Sequence, residues 1–170
     1  MNDKDILIEC MYEKLELTLT DSNYNFLISD DIFVLGSRQT GKTIMSITSA
    51  ILEAILNENY NVLIRTDSRR YVLEKIIAIC IDLGISFSSG RDYIFFNNFK
   101  SFIWLSTKRI RDRHFDMIIY DVFEISDSIS EEIQSEIPYT QKNKILTDIN
   151  NKNTQTFLNN DSFETITIRR

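Results

Sequence analysis

Four glycines and two cysteines in 170 residues leave this chain few means of building special sites, and each scarcity excludes something. Cys10 and Cys80 lack any metal-ligand spacing, which argues against a zinc site or a disulfide framework and for a reducing, intracellular setting. Cys80 lies in an apolar helical pattern and reads as a buried thiol. No apolar run reaches the roughly 18 residues that a membrane span needs, and no charged-then-apolar leader opens the chain. Bases fall short of acids, 19 against 25, for a net charge of −6. That balance excludes a surface basic throughout, so any contact with nucleic acid must be local. No internal repeat and no linker-like division is visible. The expectation is one α/β domain over residues 1–170, with a lead-in over 1–30 and a loop-rich tail over 150–170.

Two of the four glycines fall in Gly36-Ser37-Arg38-Gln39-Thr40-Gly41-Lys42-Thr43, which fits the phosphate-binding loop G-x-x-x-x-G-K-[ST] without a mismatch. Glycines let the backbone curl so that successive N–H groups point at one anion, and the helix that follows adds its free N–H groups and positive dipole end. Gly36, Ser37, Gln39, Thr40 and Gly41 would form the cradle. Lys42 would reach the β and γ phosphates, and the Thr43 hydroxyl would ligate the magnesium ion bridging them. The flanks are those the motif requires. Ile32 to Leu35 is a short apolar run suited to a buried parallel strand, and Ile44 to Leu56 is an uninterrupted helical stretch.

Strands and helices alternate along the rest of the chain. Leu15-Glu16-Leu17-Thr18-Leu19-Thr20 alternates strictly and reads as a half-exposed strand. Asn61 to Thr66 is a second parallel-strand candidate. Asp67 and Ser68 are placed to cap a helix with apolar positions Val72, Leu73, Ile76, Ile77 and Cys80, ending at Gly84. Short strands are expected at 85–88, 93–97 and 101–106, with a hairpin turn at Asn97-Asn98. Glu164 to Ile168 alternates and reads as a last strand, at a sheet edge. The stretch from 150 to 161, rich in Asn, Thr and Gln, reads as loop.

The segment Asp116 to Asp121 places four apolar residues before an acid, the pattern of a central strand that delivers a carboxylate to the carboxyl edge of a parallel sheet. Ligands of open α/β sheets bind outside that edge, so Asp121 and Lys42 should converge, with Asp121 and Thr43 serving the metal. An N-cap aspartate is the plainer alternative for Asp121. Glu124, three residues on, is a candidate to position the attacking water, and equally a surface or helix-start residue. Lys108, Arg109, Arg111 and Arg113 crowd into six residues, either as a phosphate-tracking patch for DNA or as a solvated loop.

From Phe33 to Glu124 the order of these features resembles the ATPase domain of large terminase subunits, the DNA-packaging motors of tailed phages and related viruses. The arginine-containing loop, the stretch Asn59 to Arg65 with an arginine before a Ser/Arg-rich helix start, the paired strands of 93–106 and the acidic strand all match in sequence order, and Lys144 to Thr147 resembles the family's third motif, a strand ending in Thr or Ser that couples hydrolysis to motion. The resemblance implies a P-loop fold with a mainly parallel sheet and added antiparallel strands, and ATP with Mg2+ as cofactors. It implies Arg38 as a cis-acting arginine, although pairing to a nearby acid is the alternative. It also implies a ring of subunits around DNA, portal or nuclease partners, no membrane, and a viral protein working in the host cytoplasm. The departures are equally specific. Val122 stands where terminases usually place a glutamate, no glutamine precedes Gln39, and 170 residues leave no room for a nuclease domain. Three functions are therefore carried forward: a terminase-like packaging ATPase, a hydrolysis-deficient nucleotide-binding regulatory or assembly protein, and, less favoured, a small nucleoside or nucleotide kinase.

Overall fold

The computed structural model describes residues 2–37, 41–148 and 163–168. Arg38, Gln39 and Thr40 lie outside the described residues, as does the expected loop of 150–161. Helices α1 (Asp3–Lys14) and α2 (Asp21–Ile28) precede β1 (Asp31–Gly36), α3 (Lys42–Leu56), β2 (Asn61–Thr66) and α4 (Arg69–Leu83). Three strands follow, β3 (Ser88–Ser89), β4 (Tyr93–Phe96) and β5 (Ser101–Ser106), then β6 (Met117–Asp121) and α5 (Asp127–Glu136). A 3₁₀ turn (Ile137–Tyr139), β7 (Lys142–Thr147) and β8 (Glu164–Ile168) complete the described elements.

The strands form one eight-stranded sheet in the order β3-β4-β5-β2-β6-β7-β1-β8. From β5 to β8 every neighbouring pair is parallel, and β4 runs against both β3 and β5. The sheet is therefore mainly parallel with an antiparallel hairpin at one edge, and helices flank it. Strands β1, β2 and β6 are buried on both faces, which is why they appear in the sequence as unbroken apolar runs. On one face, α3 and α4 cover a core that includes Val34, Ile47, Ile51, Ile64, Ile76 and Ile119. On the other, Ile133 of α5 joins Phe33, Leu63, Ile118, Tyr120 and Ile145. Helices α1 and α2 pack outside α3, where Ile8, Tyr12 and Leu27 enclose Leu52.

Three local expectations are corrected. Leu15 to Thr20 is not a strand but the link between α1 and α2. The end of α1 is closed by Leu17 N–H on the Tyr12 carbonyl at 2.9 Å, with Glu16 left-handed at φ 56°, and Thr20 caps α2 through Asn23 N–H. Its three leucines pack against the cluster of Ile8, Tyr12, Leu27 and Leu52 on the helices instead of on a sheet. The strand expected at 85–88 shrinks to Ser88–Ser89, because Ile85 N–H is used to close α4 on the Cys80 carbonyl. Ser68 is the N-cap residue of α4 but makes no side-chain cap, and Asp67 is turned to another task described below. The other strands, the turn before Lys100 and the edge position of β8 fall where the pattern placed them.

Gly84 ends α4 in the left-handed region at φ 70°. An added Cβ would meet nothing nearer than Lys14 Nζ at 3.9 Å, so the backbone angle, not crowding, demands glycine. Gly84→Ala is therefore expected to destabilise the chain by about 1 kcal/mol, read as a lower urea midpoint at unchanged slope. A shift of several kcal/mol would mean that α4 loses its packing as well.

Candidate functional site

The parallel strands bring their carboxyl ends to a single edge, and β7 lies between β1 and β6. Two inter-strand steps of about 4.8 Å separate the strand entering the loop from the strand ending in Asp121, a gap of about 10 Å. A cavity of about 470 Å³ opens there, lined by Gly41, Lys42 and Thr43 from the loop and α3, by Asp67 and Tyr71 beyond β2, and by Asp121 and Asp148. Lys42 and Asp121 thus share one cavity.

Gly41 takes φ 82° at the N-cap of α3, where an added Cβ would touch nothing within 4 Å. The left-handed backbone explains this glycine, since it turns the chain into a helix whose first turn holds no acid to neutralise its dipole. Lys42 folds back over the loop, donating from Nζ to the Gly36 carbonyl at 2.6 Å and the Ser37 carbonyl at 2.8 Å. Burial pulls its pKa down, and Asp148 and Asp121 pull it back up. Gly36 and Ser37 are thereby the carbonyl rest for the lysine.

Asp121 is held above the usual carboxylate range by burial and, secondarily, by Asp67; hydrogen bonds with Thr43 and Ser46 and the charge of Lys42 oppose the shift. Its Oδ2 is buried without a hydrogen-bond partner among the described residues. A buried carboxylate oxygen left unsatisfied next to a threonine hydroxyl suits a cation, so these residues fit a magnesium ion. No cluster of three His, Cys, Asp or Glu side chains that could hold a metal alone exists among the described residues. Phosphate oxygens would have to complete the coordination.

The backbone of Phe123 joins three strand exits. Its N–H donates to Asp67 Oδ2 at 3.1 Å, and its carbonyl accepts from the Thr147 hydroxyl and from Asp148 N–H, both at 3.3 Å. Asp67 is thereby a brace between β2 and β6 in place of the helix cap expected of it.

Glu124 is exposed and is absent from the residues lining the cavity, while Val122, 2% exposed, lines it and packs into the core under α5. Arg65 points away from the cavity. Its Nε donates to Glu132 Oε2 at 3.1 Å in a pair whose side chains are each 9% exposed. Burial raises the Glu132 pKa and Arg65 lowers it. Of the basic segment, Arg109 is engaged by Glu136 at 2.9 Å and Arg113 covers the Trp104 ring at 3.9 Å, whereas the side chains of Lys108 and Arg111 are exposed. The sequence reading missed Asp148 and Asp67. The signal for Asp148 was its place just after the strand ending at Thr147, the same position that Asp121 holds after its own apolar run.

No protein-family model matches the chain, and no curated protein matches it in sequence. Its three-dimensional form does have relatives. The ATPase domain of the Thermus phage P74-26 large terminase superposes with a TM-score of 0.67 at 12% identity, over 92% of this chain and 83% of that one. The fold is that of a phage terminase ATPase domain. The large terminase of a second, thermophilic bacteriophage matches in its ADP complex (TM-score 0.64, 15% identity) and its ATP-γ-S complex (TM-score 0.66, 12% identity). The terminase-type fold covers 88% of this chain but only 45% and 44% of those two, so the chain spans less than half the length of that second terminase. Among the described residues no helix is long and apolar enough to cross a membrane.

Proposed function

We propose that this single P-loop domain binds ATP with magnesium at the Lys42–Asp121 cavity and hydrolyses it as a terminase-like DNA-packaging ATPase. The observation that carries the proposal is the buried Oδ2 of Asp121, without a hydrogen-bond partner among the described residues, in the same cavity as Lys42 and Thr43. On this reading the N–H groups at the start of α3 and of Gly41 bind phosphate, and Lys42 exchanges its two carbonyl partners for phosphate oxygens. Thr43 and Asp121 hold the metal, which supplies charge neutralisation for the γ phosphate when bound. Arg38 would add a second positive charge, with Gln39 and Thr40 completing the cradle. Asp148, lining the cavity beside Lys42, is better placed than exposed Glu124 to orient a water. Complexes of the thermophilic bacteriophage terminase with ADP and ATP-γ-S support a nucleotide in a domain of this shape.

Magnesium-dependent phosphate release from ATP by the purified chain tests this. A second reading, nucleotide binding without turnover, is favoured by the burial of Val122 and the outward position of Glu124. Tight ATP binding with no release would select it. As a packaging motor the chain would assemble into a ring with DNA, inside the host cell.

For DNA, the exposed side chains of Lys108 and Arg111 are the ones available to duplex phosphates, since Arg109 is already paired. Replacing both with alanine is expected to weaken duplex binding and to reduce the salt slope by about two, near one per lost contact. An unchanged slope would remove the segment from the interface.

A further inference from the structure

The β4–β5 hairpin presents a row of rings on the face turned away from α3 and α4. Ile94, Phe96, Ile103 and Leu105 are buried in the core on the helical side, so the alternating Tyr93, Phe95, Phe102 and Trp104 stand on the opposite face, all half-exposed. Register sets Tyr93 against Trp104 and Phe95 against Phe102. The ring centroids lie close, at 4.8 Å for the stacked Phe102–Trp104 pair, 4.6 Å for Phe95–Phe102 and 5.4 Å for Tyr93–Trp104. Among the described residues, Tyr93, Phe95 and Phe102 belong to none of the three hydrophobic cores, and only Trp104 reaches the one under α5.

Positive charge begins where the rings end. The Arg113 guanidinium lies 3.9 Å above Trp104. Beyond it a groove of about 520 Å³ continues past Arg111, Arg113, His114 and Tyr139, a residue 74% exposed. Two acids line that groove as well, Asp112 and Glu136, and Glu136 is taken up by Arg109. A ligand complementary to this surface must carry repeated negative charge and flat apolar faces at once. Duplex DNA has the charge but hides its base faces in the stack, and an acidic peptide lacks such faces at regular spacing. A single strand presents both, with phosphates for the arginines and bases for the rings.

We propose that the aromatic face of β4–β5, together with Arg111 and Arg113, is a binding platform for single-stranded nucleic acid. The platform shares Arg111 with the duplex contact suggested above and otherwise stands apart from it, needing neither ATP turnover nor duplex affinity.

Trp104 is the only tryptophan of the chain, so its fluorescence reports on this face. The full chain is titrated with an oligothymidylate of about a dozen nucleotides, with a duplex of equal length and with heparin, a polyanion without bases. The oligothymidylate should quench Trp104 and bind at least about tenfold more tightly than either control, with saturating ATP leaving the signal unchanged. Tyr93→Ala should weaken binding about tenfold and Tyr93→Phe should not, as stacking on a ring requires. Heparin matching the oligothymidylate, a duplex that matches it and quenches Trp104 as strongly, no change at Trp104, or displacement by ATP would each overturn the platform. So would a concentration-dependent dimer that shields Trp104, which would assign the face to a second copy. If Tyr93→Ala does not fold, the three ligands on the unaltered chain decide alone. Duplex binding and ATP turnover surviving a failed oligothymidylate arm would remove only the platform.

Discussion

Replacing Lys42 with alanine is expected to lower ATP turnover by about 10²–10³-fold, the scale on which a single group stabilising developing charge acts. The cavity explains why loss would be so large. Three carboxylates, Asp67, Asp121 and Asp148, line it with the lysine, and the charges of the last two raise the Lys42 pKa against the effect of burial. Without the ammonium, a triphosphate would face those carboxylates with one positive group fewer beside the helix N-terminus and the metal. Lys42→Arg should fail as well, because a planar fork does not replace a compact ammonium seated between two carbonyls at 2.6 and 2.8 Å. Asp121→Asn provides the companion measurement. Burial holds the Asp121 carboxyl above its ordinary range, so its ionised form is destabilising in the folded chain and the amide should raise stability at neutral pH. Turnover should fall in the same variant, since asparagine is a poorer magnesium ligand. Stability and activity moving in opposite directions is the signature of a carboxylate kept for chemistry. Turnover unaffected by Lys42→Ala would place any hydrolysis elsewhere.

What could be read from the sequence followed from burial. Ile32 to Leu35 and Met117 to Tyr120 are unbroken apolar runs because their strands are covered on both faces, and a run ending at Gly36 or Asp121 marks where the chain leaves the sheet. Convergence of Lys42 and Asp121 then needed only the rule that parallel strands share a carboxyl edge. The N-terminal helices were illegible for a local reason. The apolar residues of α1 give almost no one-sided pattern, and α2 is eight residues with two asparagines and a serine inside it. Asp148 was hidden differently. The strand before it begins Lys142-Asn143-Lys144, which reads as exposed, yet Asn143 and Lys144 are buried through partners far away in sequence. Asp31 opens β1 and Ser49 lies on α3, while Phe26 lies on α2, the one of these elements that periodicity could not place. An identity of only 12–16% to proteins of the same fold is consistent with this.

Lys144 turns that hidden packing into a measurable effect. Its side chain is fully buried in β7, donating to the Phe26 carbonyl at 2.6 Å, the Leu27 carbonyl at 3.3 Å and the Ser49 hydroxyl at 2.9 Å, with the ammonium 4.7 Å from the Phe26 ring centroid. Burial pulls its pKa down to about 7, with Lys4 and Lys142 adding to the fall and Glu53 and Asp30 opposing it. Since an unfolded lysine titrates near 10.4, the unfolded chain holds one more proton between those limits. Stability must therefore rise with pH from about 7, by about 2 kcal/mol up to pH 9. Above pH 9 the rise should stall. Burial pushes the Cys80 thiol up to about 12, and Tyr12, Tyr60 and Tyr120 are raised by burial as well, so the unfolded chain there loses protons first. Urea unfolding between pH 6 and 10 should show this climb in the native chain. In Lys144→Met the climb should shrink by about 2 kcal/mol, leaving only the smaller share from Lys42. At pH 9 the variant should be less stable by about 1–3 kcal/mol, because two carbonyls lose their donor and the Ser49 hydroxyl loses its partner. Towards pH 6 the two curves should converge, as the native chain then has to bury an ammonium that methionine never carries. Parallel curves across the range would show that Lys144 stays charged in the fold, with its three acceptors outweighing burial.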